Sequence, residues 1–365
     1  MNRAKKVLGV VSLGIVFAAS GVSAAITYGT DSITNDANLT IDAGTSNSLL
    51  LQTINNGSVG IGTATPNEQL EITGNFRMPA TTATTGIIYS GTSPLVSIYG
   101  TDNMFFGISA GNLTTTGDNN TVFGKRSLTL NTSGRYNTAI GNDVLSNNGG
   151  EGYGGDYNIA VGGLALNANL DGNQNVALGL QAMMSHTEGD YNTAVGGLAM
   201  NYDLTGASNT AIGYKAGMNS VSNANTMVGR SALINQTTGS YNAALGLTAG
   251  YTNTTGSKNT FLGTNADAGS NNLSFATAIG YGAIVGCGNC MVLGGTGANA
   301  VSVGIGTTTP AAKLDINSDS FILETAKTPS SSSASCTTGT VAWDANYVYV
   351  CVSSNTWKRS GLVTW

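Results

Sequence analysis

From residue 99 onward the chain repeats one short pattern of polar and apolar positions. A polar residue and Asn lead into three apolar or β-branched residues, then Gly, then Ala three places on: YNTAVGGLA at 191–199 and SNTAIGYKA at 208–216. The repeat glycine falls at 107, 124, 141, 162, 179, 196, 213, 229, 246, 263, 280 and 294. The steps are 17 residues apart from one each of 21, 16 and 14, and the longest contains an insertion, Asn148 to Tyr153, of the kind that lands in a loop. Three apolar positions between turn residues make a short strand, and the Gly, Asn and Thr around them make turns. One such unit cannot bury its apolar face alone, whereas a stack of units can. The period therefore predicts one coil of a parallel β-solenoid, written as strand, turn, short strand and Gly turn. About twelve coils at ~4.8 Å each give a rod of roughly 55–60 Å.

The columns of the repeat set the packing expectations. The residue before each glycine is large and apolar throughout (Phe106, Phe123, Ile140 through to Leu293), the one before that is mostly Ala, and the one before that mostly Thr. None of these positions is charged. Strand side chains alternate between faces, and with neither face polar both are expected to be covered. A lone coil covers only its inside, so the Ala and Thr on the other face call for further copies of the chain, most simply a homotrimer. Four residues before the glycine stands Asn: Asn120, Asn137, Asn158, Asn175, Asn192, Asn209, Asn225, Asn242 and Asn259. Stacked coils would align these amides into a structural ladder, as cross-β stacks do. One place earlier, Tyr136, Tyr157, Tyr191 and Tyr241 share a column. Such aromatics either bind sugars and other surfaces or pack a turn against its neighbour.

Composition fits turns and short strands rather than helices: 51 of 365 residues are Gly and only 9% are charged, where ordinary domains carry about 25%. Arg3, Lys5 and Lys6, the apolar run Val7 to Ala19 and the small residues 21–24 read as a secretory signal peptide over 1–24. Removing it takes away three cations and no anions, so the net charge falls from −5 to −8. An acidic chain with scattered cations argues against nucleic acid as a partner.

The N-T-A-I-G-x-x-A repeat resembles the head domains of trimeric autotransporter adhesins. Its longer coil, with spacers such as Asn253-Thr254-Thr255-Gly256, is similar to repeats in bacterial and phage tail-fibre-like proteins. A second phrase supports this: VGIGTATP at 59–66 recurs as VGIGTTTP at 303–310, each followed by a Leu-x-Ile segment. It looks like a β-fibre module that brackets the roll. The resemblance spans roughly residues 55 to 320. It implies an all-β, left-handed, trimeric roll on the surface of a bacterium or secreted from it, with surface attachment as its role. No heptads follow the repeats, so a membrane link would run through an unidentified anchor.

The domain reading is a signal peptide (1–24), an N-terminal β-fibre segment (25–98), the repeats (99–300), a second β-fibre module (301–327), a Ser-rich linker (328–335) and a C-terminal β cap (336–365). Cys336 and Cys351 are expected to staple the cap, since exported chains oxidise. Cys287 and Cys290 are expected to close the last coil, because four Cys and one His leave little from which to build a zinc site. His186 reads as a solvated loop residue. Asp118, Asp156 and Asp190 share a column, but a calcium-binding roll needs nine-residue Gly-Asp repeats, and the period here is seventeen. With no nucleophile elbow, no Gly-rich loop opening a helix and no metal set, neither catalytic residue, cofactor nor metal is assigned. The expected function is an exported structural or adhesive fibre that attaches to a host, cell or polysaccharide surface without catalysis. Two alternatives stand beside it. One is a polysaccharide- or ice-binding solenoid using the column Thr121, Thr138, Thr193, Thr210, Thr226, Thr260 and Thr277. The other is a phage-derived tail-fibre-like receptor-binding protein.

Overall fold

The computed structural model describes residues 59–61, 67–149, 154–297, 300–318 and 320–364. The expected signal peptide, the segment 25–58, the tip of the insertion and Trp365 lie outside the described residues. The chain divides into two units, Met1–Arg77 and Met78–Trp365. No α-helix occurs among the described residues.

In the first unit β1 (Val59–Ile61) pairs in parallel with β2 (Leu70–Ile72). The Asn67 N–H donates to Glu71 Oε2 at 2.6 Å, which fixes the turn into β2.

The second unit opens with a hairpin, β3 (Ile88–Ser90) and β4 (Ser93–Ser97), and β4 lies antiparallel on β5 (Met104–Phe106). The sequence reading placed this hairpin in a separate segment; it is the first layer of the repeat sheet. On β5 stack, in parallel, β6 (Thr121–Phe123), β7 (Thr138–Ile140), β8 (Ile159–Val161), β9 (Val176–Leu178), β10 (Thr193–Val195), β11 (Thr210–Ile212), β12 (Thr226–Val228), β13 (Ala243–Leu245) and β14 (Thr260–Leu262). β15 (Asp267–Ala268) starts a second small sheet. β16 (Thr277–Ile279) continues the first, β17 (Ile284–Val285) pairs with β15, and β18 (Met291–Leu293) ends the stack. The result is a parallel β-solenoid of about eleven turns. The register puts like on like: Thr193 on Thr210, Ala194 on Ala211, Val195 on Ile212. Only at β15 and β17 does a coil hold the second strand the sequence led us to expect; elsewhere that arc is turn.

That arc is turn because it carries left-handed backbone at residues that rarely adopt it. Leu166 (φ 49°), Met183 (φ 51°) and Met200 (φ 48°) lie four places after the repeat glycine. For such side chains this conformation costs roughly 1–2 kcal/mol each. They are fully buried, as are Leu128, Leu145 and Leu233 in the same column, and burial of a large apolar side chain recovers about 1.5–3 kcal/mol.

The inside of the tube is the reverse of the expected one. The Ala column (Ala139, Ala160, Ala177, Ala194, Ala211) is fully buried, while the large residue before the glycine faces outward with the Thr column. Ala and Thr are adjacent and cannot share a strand face; Thr and the large residue are two apart and must. Small inward side chains leave room for the Leu and Met from the opposite arc. Where that arc has Gly instead, the Ala is replaced by something bulky. A Cβ on Gly111 would lie 2.3 Å from the Phe105 ring, one on Gly217 2.4 Å from Met227 Sδ, and one on Gly250 2.7 Å from the Phe261 ring. The repeat glycine meets its own limit: a Cβ on Gly124 would stand 1.7 Å from the Gly141 carbonyl of the next coil.

After the solenoid, β19 (Val303–Ile305) and β20 (Leu314–Ile316) repeat the β1–β2 arrangement, with Ala311 N–H donating to Asp315 Oδ2 at 2.7 Å. The cap is an antiparallel sheet of β21 (Val341–Trp343), β22 (Tyr347–Ser353) and β23 (Thr356–Gly361), closed on a small core of Ala342, Tyr349, Cys351 and Trp357. The stretch 328–335, expected to be a linker, is part of the cap. Lys327 N–H bonds the Trp343 carbonyl and Trp357 N–H bonds the Ser332 carbonyl, each at 2.8 Å.

Candidate functional site

The solenoid's polar chemistry lies in five columns, two inside and three outside. The Asn column is inside. Asn192 N–H donates to Asn175 Oδ1 at 2.9 Å, and Asn192 Nδ2 donates to the Gly206 carbonyl at 2.7 Å. The same exchange runs through Asn120, Asn137, Asn158, Asn175, Asn209, Asn225, Asn242 and Asn259. These amides are buried and bind the chain to itself, so they offer nothing to a ligand.

A second inner ladder escaped the sequence reading: Asn131, Asn148, Asn169, His186, Asp203, Ser220, Gln236 and Asn253, all buried. Most donate to the carbonyl three residues on, as Asn169 does to Gly172 at 3.0 Å. Its signal was an Asn, or a residue like it, three places before the Gly turn. His186 belongs here and is fully buried, not solvated. Its Nε2 donates to the Gly189 carbonyl at 3.0 Å, which leaves Nδ1 as an acceptor. That Nδ1 lies 3.9 Å from Asp203 Oδ2, and neither atom has another partner. Asp203 Oδ1 accepts from the Gly206 N–H at 2.7 Å. Burial pushes the Asp203 carboxyl up to about 7 and pushes the His186 imidazole down. The physical cause is the absence of water around either charge.

The first outer column follows the Gly turn. Tyr136, Tyr157, Tyr191 and Tyr241 all have left-handed backbone (φ 56–62°), which turns each ring outward, and all four are exposed. Tyr136 and Tyr157 stack face to face, centroids 4.9 Å apart and planes 2° apart. The two rings stack although 21 residues, not 17, separate them in the chain. Gln174 follows, and its Nε2 donates to the Tyr191 hydroxyl at 3.5 Å. Tyr241 stands apart, with Ala224 and Lys258 as its column neighbours.

Beside these rings runs the Asp column. Arg135 Nε lies 4.0 Å from Asp118 and 3.9 Å from Asp156, and Asp156 Oδ1 accepts the Arg135 N–H at 2.9 Å. Asp190 Oδ1 accepts the Asn173 N–H at 2.7 Å. The carboxylates thus alternate with Arg135 and Asn173; Asp156 and Asp190 are engaged as acceptors, while Asp118 has only the approach of Arg135. No group of three or more His, Cys, Asp or Glu that could hold a metal ion occurs among the described residues. The result is a strip of exposed aromatic rings, Tyr136, Tyr157 and Tyr191 with Gln174 between the last two, edged with hydrogen-bonding groups. The Thr column also faces out, half exposed, but Ile159, Val176 and Ala243 interrupt it. Both cysteine pairs are disulfide-bonded, Cys287–Cys290 in the last coil and Cys336–Cys351 in the cap.

Against known proteins, no family model matches the chain, and no solved structure does. A 44-residue stretch is 50% identical to "Depolymerase 1, capsule K30/K69-specific" of Klebsiella phage K5-2, covering 12% of this chain and 6% of that one. The fold defines a repeat protein of the β-solenoid class.

Proposed function

We propose that the chain is an exported, non-catalytic fibre protein whose solenoid assembles as a homotrimer and attaches to a polysaccharide-bearing surface through the tyrosine strip. The carrying observation is the outward, stacked Tyr136–Tyr157 pair continued by Gln174 and Tyr191. Aromatic faces take the apolar side of a sugar ring while amides and carboxylates meet its hydroxyls, the mix common to small-ligand sites. A repeating array suits a repeating polymer, and three copies on one fibre multiply weak contacts into useful avidity. The carboxylates beside the rings already serve Arg135 and backbone N–H groups, which favours binding over catalysis. Trimerisation draws its support from the apolar outer face: Phe106 stacks on Phe123 at 5.4 Å, and Ile212, Leu245 and Leu262 are exposed along the same face.

A phage-derived receptor-binding protein is the second reading, favoured by the match to a capsule depolymerase. Both readings are tested by retention on immobilised bacterial capsule. The Tyr136→Ala/Tyr157→Ala variant is expected to lose binding tenfold or more with its circular dichroism unchanged. Undiminished binding refutes the strip, and release of reducing ends from the capsule refutes the absence of catalysis.

A further inference from the structure

The cap holds a site that neither the solenoid nor the attachment role requires. Between the Ser-rich segment and β23 lies a cleft of about 310 Å³, lined by Pro329, Ser330, Ser331, Ser332, Tyr349, Trp357, Lys358 and Arg359. Its walls are fastened in several places. Thr328 Oγ1 donates to Asp344 Oδ2 at 2.8 Å, Trp357 N–H holds the Ser332 carbonyl, and the Cys336–Cys351 disulfide ties the far end of the segment to β22. The cleft therefore exists before any ligand arrives.

Its chemistry is that of an anion and sugar binder. Among the described residues neither Lys358 nor Arg359 forms an ion pair with a carboxylate, unlike Arg126 and Arg135 on the solenoid. Arg359 stacks over the Tyr347 ring at 4.1 Å. The nearby acid, Asp344, is spent: it accepts from the Tyr349 hydroxyl at 2.6 Å, from Thr328, and from the N–H groups of Asn346 and Tyr347 at 2.8 and 2.9 Å. Those donors hold its carboxyl at about 2, so it stays ionised and its oxygens are taken as acceptors. Arg359 shares a strand face with Trp357 and Tyr349 and is the cation this cleft presents, whereas Lys358, between Trp357 and Arg359 on β23, directs its side chain to the other face.

Trp357 adds an independent sign. It is 6% exposed, and its indole Nε1–H has no acceptor. A buried donor left unpaired costs about 1–3 kcal/mol, and native folds rarely leave one without a reason. An acceptor entering the cleft would relieve that cost.

We propose that this cleft binds an acidic saccharide, its carboxylate on Arg359, a ring oxygen or hydroxyl on the Trp357 indole N–H, and further hydroxyls on the serines. The choice of a sugar over another anion rests on the polysaccharide reading above; the choice of an acidic one rests on the cleft alone.

The test is calorimetric titration of the full chain with oligogalacturonate, with neutral cello-oligosaccharide and with poly-glutamate. The expected result is binding of oligogalacturonate that weakens with salt, falls at least tenfold in Lys358→Ala/Arg359→Ala, and persists in Tyr136→Ala/Tyr157→Ala. Trp357→Phe keeps the ring and removes the N–H, and is expected to weaken binding several-fold. Arg359→Met keeps the stem over Tyr347 and covers the case in which the Trp variant fails to fold. Undiminished binding in the double cap variant overturns the proposal, as does equal binding of poly-glutamate, which would mark the cleft as a site for acidic peptides. Loss in the tyrosine variant alone overturns it too and leaves the strip standing. Loss in the cap variant alone supports the cleft and leaves the strip to its own test on immobilised capsule.

Discussion

Asp203 occupies a column whose other members donate a hydrogen bond, and as a carboxylate it has nothing to donate. Protonated on Oδ2 it could reach His186 Nδ1, the one acceptor nearby without a partner. The two groups respond to pH in opposite senses. The Asp203 carboxyl, raised to about 7, is protonated in the fold where the unfolded chain has lost the proton. Its contribution to stability is complete below about pH 4 and is lost as pH rises to 7. His186 is lowered by burial, so the unfolded chain binds a proton that the fold rejects, and its contribution grows as pH rises toward 6.5. Asp190 is the charged neighbour that favours the imidazolium, though burial outweighs it. The wild-type protein should therefore show a shallow profile between pH 4 and 6.5, with the two slopes opposed. Asp203→Asn, which installs the residue that Asn131, Asn148, Asn169 and Asn253 supply at this place in other coils, should leave stability rising with pH over that range. His186→Asn should leave it falling. Urea midpoints at pH 4.5, 5.5, 6.5 and 7.5 read this directly, and slopes of the same sign in the two variants would refute it.

At the scale of the coil, stability depends on volume shared between facing arcs. Phe261 fills the space opened by Gly250, and Ala244 one coil earlier shows how little room the inward position otherwise has. Phe261→Ala should cost about 3–5 kcal/mol through the cavity it leaves, and hydrogen exchange should localise the opening to β13, β14 and β16. A loss under 1 kcal/mol would mean the coil collapses around the gap. The period, the strand positions and the Asn ladder were legible in the sequence because each recurs with the glycine. The face assignment was legible too but was misread. Asn192 and Ala194 are two apart, so a buried amide ladder already puts Ala inside and Val195 outside. The second polar ladder was harder to see, because Asn, His, Asp, Ser and Gln alternate in it and only their shared place before the Gly turn unites them. Of the tyrosines, the column was legible; that only Tyr136 and Tyr157 touch depended on Gln174 standing between Tyr157 and Tyr191 and on the serine and alanine that isolate Tyr241. The cap cleft left no pattern, since it joins residues from two ends of a short segment through a single fold.

For the assembled molecule, the decisive feature is the apolar outer face of the long sheet. Large apolar side chains recur there coil after coil, from Phe106 to Leu293, with Thr beside them and no charge in either column. On a solitary soluble chain such a continuous apolar patch is unusual and marks an interaction surface. Around Ala243, where the Thr of its neighbours is missing, the face dips into an apolar groove of about 310 Å³ walled by Val228, Leu245 and Leu262. Copies of the same chain present the matching ridge at the same spacing, so a closed homo-oligomer can cover every coil at once, as symmetric assemblies do. Sedimentation equilibrium is expected to give a mass three times that of the single chain, which is 36.9 kDa when all 365 residues are present. Leu245→Glu/Leu262→Glu places two carboxylates on the covered face, where burying an unpaired charge costs several kcal/mol. That variant should sediment as a monomer with its β-sheet circular dichroism intact, because neither side chain fills the inside of the tube. A monomeric wild-type protein, or a trimer indifferent to both substitutions, would assign the apolar face to a partner of another kind.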